Sequence, residues 1–140
     1  MTISEIQDKI IKGCQDAGAI DKYGYLIKLG REYPPIDEQY KTEDNLVRGC
    51  QVQTWFCSSF ENDKIFYHID SSSIMVRGII ALLVRVLSGQ KPEDVANADL
   101  YFIKKLNLED DFSPVRANSL WKLTNRMKLE ATQCIYDRKC

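Results

Sequence analysis

The sequence lacks the features that mark a membrane or secreted protein. Its longest uninterrupted apolar run covers residues 79–84, far shorter than the stretch of about 20 residues that spans a bilayer. A secretory signal begins with a basic segment followed by an apolar one, whereas the first residues here include the acids Glu5 and Asp8. We therefore expect no membrane association and a cytoplasmic location.

Several kinds of functional site also have little support. The formal net charge is -1, without the clustered excess of Lys and Arg that a nucleic-acid or anionic-membrane surface needs. The chain has one histidine, His68, and no Cys-x-x-Cys pair, so the sequence does not favour a zinc site or a Cys-His hydrolase. His68 alternates with aromatic residues, which favours a structural role for it. No glycine-rich phosphate loop is present.

The chain has 5 cysteines, an odd number that argues against a closed disulfide framework. In a reducing compartment they are expected to be thiols. Cys14 and Cys134 lie on apolar helical seams, where a free cysteine packs as a small hydrophobe. Cys57 lies within a predicted strand, where packing is again the default role, and Cys140 is the last residue, a poor place to organise a reaction.

Cys50 has a different context. It follows Gly49 at the end of a long polar connection, residues 34–50, and precedes a predicted strand. Long connections often carry function, and a glycine lets a loop tip turn sharply. Arg48 is a cation close in sequence, and a nearby cation favours the reactive thiolate. From this context alone, a reactive cysteine and an incidental loop cysteine are equally well supported.

Hydrophobic periodicity predicts several helices and one β-hairpin. Residues 2–17 carry an apolar helical seam that begins with a Thr2–Glu5 capping box. Asn62 and Asp63 supply turn chemistry between two strands, and the serines at 71–73 are N-cap candidates for a mostly apolar central helix. The predicted helices cover residues 2–17, 21–32, 73–88, 92–98, 101–106 and 115–136, and the predicted strands cover residues 53–60 and 64–69; a third strand within residues 41–48 stays open.

This order of elements predicts one α+β domain over residues 1–140, with a small antiparallel β-sheet packed against several α-helices. A length of 140 residues is usual for one domain. Apolar residues make up 44% of the chain and charged residues 28%, which is typical of a globular protein.

Beyond these patterns, the sequence resembles the SufE-type family of sulfur acceptors, which includes CsdE. The central match is residues 49–55, Gly-Cys-Gln-Val-Gln-Thr-Trp, which is similar to the family signature Gly-Cys-Gln-x-Gln-x-Trp. The segment 76–81 resembles the family's Val-Lys-Gly-Leu-Ile-Ala, and residues 113–116 with Leu120 resemble its Ser-Pro-x-Arg-x-x-x-Leu. The resemblance covers most of the chain, in order, although Val52 and Thr54 stand where relatives often have Ser and Val.

The resemblance implies a fold like that of SufE and IscU proteins and a sulfur-carrier function. Cys50 would take a persulfide sulfur from a cysteine desulfurase of the SufS or CsdA type, stimulate that enzyme, and deliver the sulfur to a SufBCD-type iron–sulfur scaffold. Pyridoxal phosphate would belong to the desulfurase, and this chain would hold no cofactor and no metal. A homodimer is left open, and so is whether such a carrier counts as an enzyme.

The resemblance also suggests which residues surround Cys50. Gln53 and Trp55 are candidates for shaping the base of the loop. Asp70 is a candidate for capping the following helix, the favoured role, or for contacting the partner. The full set of loop or partner-contact candidates is Arg48, Gly49, Gln51, Gln53, Trp55, Asp70 and Arg116.

Three alternatives remain. An IscU-like cluster scaffold would ligate iron through several thiolates with a carboxylate or histidine, and the spacing of Cys50, Cys57 and His68 does not reproduce such a set. A non-catalytic interaction domain would function without Cys50. A thiol oxidoreductase would need a resolving cysteine, for which Cys57 is the nearby candidate.

Overall fold

The computed structural model describes residues 1–16, 22–50, 52–108 and 114–139. The predicted α+β class and its small antiparallel sheet are confirmed, and each predicted element is present with shifts of a few residues at its ends. In chain order the elements are α1 (Ile3–Asp16), α2 (Lys22–Glu32), two short 3-10 turns (Glu38–Tyr40 and Glu43–Asn45), β1 (Thr54–Glu61), β2 (Lys64–Ser71), α3 (Ile74–Leu87), α4 (Pro92–Ala96), α5 (Tyr101–Lys105) and α6 (Pro114–Lys139).

Within these ranges, none of the helices has the length and apolar character needed to cross a membrane. The capping box predicted for α1 is confirmed. The Thr2 amide donates to the Glu5 carboxylate at 3.0 Å, and the Glu5 amide donates to the Thr2 hydroxyl at 3.1 Å. These two bonds satisfy amides that a helix N-terminus otherwise leaves unpaired.

The sheet is a hairpin of β1 and β2, paired antiparallel from Thr54 opposite Ser71 to Glu61 opposite Lys64. Asn62 and Asp63 form its turn with φ angles of 52° and 63°. Two consecutive residues with positive φ give a turn whose twist matches that of the strands, and Asn and Asp tolerate this conformation better than most residues. The turn chemistry in the sequence therefore predicted the hairpin correctly.

Helix α3 lies at the centre of the core. Ser73 caps its N-terminus by accepting a hydrogen bond from the Val76 amide at 3.4 Å, and Gly89, with φ 81°, follows its C-terminal cap residue Ser88. Around α3 pack α2, β2, α1 and α6. The buried residues of α3 are Met75, Val76, Gly78, Ile79, Ile80, Leu82, Leu83, Val86 and Leu87.

Helix α6 contributes the seam predicted for it: Leu120, Leu123, Met127 and Ala131 are buried. Cys134, next on that seam, is half-buried, and burial raises the pKa of its thiol. Cys14 is buried in the same core. Both thiols therefore occupy packing positions, as the helical seams predict.

Helices α2 and α3 approach so closely that each needs a glycine at the contact. A Cβ atom on Gly78 would clash with the Leu26 carbonyl of α2, and one on Gly30 would clash with the Ile74 carbonyl of α3. The two backbones therefore touch at two reciprocal points. This contact positions the C-terminal part of α2 against α3, near the start of the connection that leads to Cys50.

A Gly78→Ala substitution tests this contact. Because the interior is closely packed, the added methyl group must push α2 and α3 apart, and we expect a loss of about 1–3 kcal/mol in the free energy of unfolding. Urea denaturation measures this loss.

Gly13→Ala is the matched control, because a Cβ atom at this exposed position of α1 meets nothing within 4 Å. It should leave the free energy of unfolding unchanged or raise it by about 0.5–1 kcal/mol through better helix propensity. Equal effects of the two substitutions would contradict the close contact.

Candidate functional site

Cys50 lies on a loop, residues 48–53, whose two ends are joined to each other. The Val47 amide donates to the Thr54 carbonyl at 2.8 Å, and Leu46 forms an isolated antiparallel bridge with Trp55. This bridge is all that the structure shows of the third strand left open within residues 41–48. It closes the loop at its base, beside the free edge of β1.

A second set of hydrogen bonds holds the returning arm of the loop. The Gln53 carbonyl accepts from the Ser72 amide at 2.9 Å and from the Ser71 hydroxyl at 3.0 Å. The Thr54 hydroxyl lies 3.2 Å from both the Ser71 hydroxyl oxygen and the Val52 carbonyl. Since Thr54 and Ser71 are buried, water competes little for these bonds, and the base of the loop is firmly attached to the end of β2.

The structure describes the tip of the loop at Arg48, Gly49 and Cys50. Cys50 is a half-buried free thiol, whereas Arg48 and Gly49 are exposed. Gly49 has a φ of 80°, in the left-handed region that favours glycine. From α6, the Lys122 ammonium donates to the Arg48 carbonyl at 3.1 Å. The cationic group that contacts the tip backbone is therefore that of Lys122. The sequence indicates Arg48 as the nearby cation and does not identify Lys122.

A buried carboxylate precedes Ser71, the residue that holds the base of the loop. Asp70, at the end of β2, is 1% exposed and forms an ion pair with the Arg77 guanidinium of α3. Its oxygens also accept from the Ser71 amide at 2.8 Å and the Ile36 amide at 3.3 Å, and the Lys41 ammonium lies 3.8 Å away. A buried charge needs such partners, because leaving it unpaired is costly.

Arg77 extends this cluster to the C-terminus of α2. It donates through Nε to the Gly30 carbonyl at 3.1 Å and through its terminal nitrogen to the Tyr33 carbonyl. The Tyr33 hydroxyl donates to the Ile69 carbonyl at 2.6 Å. Burial, with the Asp70 charge as a second cause, raises the pKa of Tyr33 to about 12.

The expected capping role of Asp70 is wrong. Ser73 caps α3 through its side chain, because the chain continues as strand and bend through residues 71–73 before the helix begins. The Asp70 carboxylate is buried in the free chain, and its contact with a partner stays a prediction. Its role in this structure is to join β2, α3 and the segment after α2.

The other candidates are at the loop or outside the described residues. Gln53 reaches the loop base through its backbone, with its side chain exposed. Trp55 is half-buried, and Lys41 Nζ lies 5.3 Å from its ring centroid. Gln51, the side chain of Arg116 and Cys140 lie outside the described part of the chain.

His68 has the structural surroundings that its sequence context favours. Its ring stacks on Tyr40 at a centroid distance of 4.4 Å, and its Nε2 lies 3.0 Å from the Ser59 hydroxyl. Burial lowers the pKa of His68. Across the described ranges, no three His, Cys, Asp or Glu side chains converge as a metal-binding group, which is the arrangement that a cluster scaffold would use.

Comparison with known proteins gives one consistent result. The family model described as "SufE: Fe-S metabolism associated domain" matches residues 8–131. The chain is 31% identical over 113 residues to the cysteine desulfuration protein SufE of Wigglesworthia glossinidia brevipalpis, a match covering 79% of this chain and 78% of that protein. It is 33% identical over 124 residues to SufE-like protein 1, chloroplastic/mitochondrial, of Arabidopsis thaliana, which covers 88% of this chain but only 33% of the longer plant protein.

A solved structure shares the fold. The solution structure of a hypothetical protein from Thermus thermophilus superposes with a TM-score of 0.73, covering 94% of this chain and 96% of that one. The two sequences are 19% identical, so this likeness concerns the architecture alone.

Arg77→Met tests the buried ion pair. It leaves the Asp70 carboxylate inside with Lys41 as its remaining cation, and we expect a loss of about 3 kcal/mol in the free energy of unfolding. Adding Asp70→Asn to this variant should cost much less than Asp70→Asn alone, because the two residues interact directly. Chemical denaturation of the four proteins measures both quantities.

The matched control is Arg126→Met, which breaks an exposed pair with Glu130 on α6 at 2.9 Å. Exposed pairs of this kind contribute less than about 1 kcal/mol. If Arg77→Met and Arg126→Met cost the same, the pair with Asp70 does not have the importance assigned to it here.

The surroundings of His68 predict a pH dependence of stability. Because its pKa is lower in the folded protein than in the unfolded chain, the unfolded chain binds a proton more readily below about pH 6.5. The contribution of His68 to stability is therefore complete above that pH and declines as the pH falls. His68→Gln should show a smaller drop between about pH 7.5 and about pH 5.5 than wild type; an equal drop would show that His68 does not cause it.

Proposed function

The chain belongs to the SufE family, and we propose that it is a sulfur carrier that accepts a persulfide sulfur from a cysteine desulfurase on Cys50. The observation that supports this assignment to Cys50 is its place, as a half-buried free thiol, on a loop of residues 48–53 whose base is closed by hydrogen bonds. Family membership associates the chain with iron–sulfur metabolism. The acceptor residue and the chemistry below are the proposal.

The transfer is an exchange at sulfur with no net oxidation. The Cys50 thiolate attacks the outer sulfur of the persulfide on the desulfurase cysteine, and a new S–S bond forms on Cys50 as the donor S–S bond breaks. The donor cysteine leaves as a thiolate and takes up the proton that Cys50 released. In the delivery step, a thiolate of the next protein attacks the outer sulfur in the same way, and Cys50 is restored.

The loop geometry fits both halves of this exchange. A carrier thiol has to enter the active site of a partner, which favours a projecting tip over a strand or helix. It also has to arrive in a defined position, which favours a base attached to the sheet. Cys50 lies on a loop whose base is attached to the sheet, whereas Cys14 is buried in the core and Cys134 lies on the packed seam of α6.

We further propose SufS- or CsdA-type desulfurases as donors and a SufBCD-type scaffold as the receiver. Pyridoxal phosphate then belongs to the donor, and removal of sulfur by this chain would speed the donor's turnover. Because a free acceptor thiol such as that of Cys50 persists in a reducing compartment, the cytosol is the proposed place of action.

Intact mass spectrometry tests the proposal. The chain is incubated with a SufS-type cysteine desulfurase and cysteine, without added reductant. Wild type should gain the mass of one or more sulfur atoms, and dithiothreitol should reverse the gain. Cys50→Ser should show no gain, because its hydroxyl does not accept sulfane sulfur.

Cys57→Ser is the matched control, since Cys57 is also a half-buried free thiol close to Cys50 in sequence. It should gain sulfur as wild type does. Sulfur that still accumulates on Cys50→Ser would move the acceptor to another cysteine, and no gain on wild type would contradict the carrier function.

A further inference from the structure

Lys122 occupies a specific place against the Cys50 loop. It lies on α6, remote in sequence, and its ammonium group donates to the Arg48 carbonyl at 3.1 Å. The same nitrogen fills the space that a side chain on Gly49 would need, because a Cβ atom there would clash with Lys122 Nζ. In the described part of the loop, this is the hydrogen bond that joins the tip to a helix.

We propose that Lys122 is a positioning residue that tethers the loop tip to α6 and keeps Cys50 half-buried until a partner docks. The inference rests on the sulfur-carrier function proposed above and adds the means by which the thiol is covered and released. Lys122 does not touch the sulfur in this proposal; it acts through the backbone of Arg48 and Gly49.

The remaining contacts of the loop support this division of roles. The bonds of Val47 with Thr54, and of Gln53 with Ser71 and Ser72, hold its two ends and do not involve Arg48 or Gly49. Losing the bond from Lys122 would therefore free the tip while the base stays in place. The exposed side of the loop, with Arg48 and Gly49, stays open to a partner.

A lysine side chain is suited to a contact that has to form and break reversibly. Its ammonium group is a flexible point donor on a long stem, so it can leave the carbonyl without any movement of α6. One hydrogen bond of ordinary net strength shifts an equilibrium by roughly threefold to tenfold. A docking protein that makes a few new contacts with the tip can compensate for the loss of this single hydrogen bond.

Alkylation of Cys50 by iodoacetamide in the free chain tests the tether. The rate at Cys50 is followed by peptide mass mapping, which separates it from the other cysteines, and is measured across a range of pH. Lys122→Met keeps the apolar stem and removes the donor. We expect it to raise the alkylation rate by roughly threefold to tenfold at every pH, with the midpoint of the pH profile unchanged.

Two variants control this measurement. Lys122→Arg retains a donor at the end of a long stem and should restore a rate close to that of wild type. Lys128→Met removes a similar bond on the same helix, from Lys128 Nζ to the Ala98 carbonyl at 2.6 Å, away from the loop. It should leave the alkylation of Cys50 unchanged, so any general loosening of α6 is accounted for.

A Lys122→Met rate equal to or below that of wild type would overturn the proposal. A pH midpoint that moves upward in Lys122→Met would overturn it too, because Lys122 would then act on the thiolate charge and not on the loop position.

The outcome is separable from that of the carrier proposal, because alkylation needs no desulfurase. If wild type accepts no sulfur while Lys122→Met still speeds alkylation, the carrier function fails and the tether stands. If sulfur transfer to Cys50 succeeds and Lys122→Met does not change the alkylation rate, the carrier function stands and the tether fails.

Discussion

The arrangement of the candidate site depends on the buried ion pair between Asp70 and Arg77. A carboxylate that is 1% exposed is stable as a charge only with close partners, and here the partner guanidinium belongs to the central helix. The same guanidinium holds two carbonyls at the C-terminus of α2. The end of β2, the start of α3 and the segment leaving α2 are thereby fixed to one another, and Ser71 and Ser72, which follow Asp70, hold the base of the Cys50 loop.

A continuous path leads from this pair to the loop. Asp70 accepts from the Ser71 amide, and the Ser71 hydroxyl donates to the Gln53 carbonyl, the last residue of the loop. Lys41 contacts both Asp70 and the Trp55 ring, on the strand that carries the other base contact. The position of the loop base is therefore determined by the core, while the described part of its tip depends on the contact from α6. Because the base of the loop is held in place, the Cys50 thiol can move only as far as the loop between the two base contacts allows.

The sequence predicted features that depend on neighbouring residues and missed those that depend on tertiary approach. The capping box of α1, the turn at Asn62 and Asp63, and Ser73 as an N-cap are local, and the structure confirms them. The Gly30–Gly78 contact and the pairing of Asp70 with Arg77 need two elements in place, so periodicity alone does not reveal them. The loop position of Cys50 was visible in the sequence, but the hydrogen bonds that close its base were not.

The cation beside the loop shows how a tertiary contact, which local sequence patterns do not reveal, can bear on the chemistry of the site. Arg48 adjoins the Cys50 loop in sequence, yet its side chain is exposed and the structure uses its carbonyl. Lys122 is 74 residues away from Arg48, off the apolar seam of α6, and no local pattern assigns it to this site. It reaches the tip because α6 packs on the core and because Gly49 leaves room for its ammonium group. An absent side chain at residue 49 thus serves two purposes: it permits the turn of the backbone, and it admits the helix contact through which the position of Cys50 can be controlled.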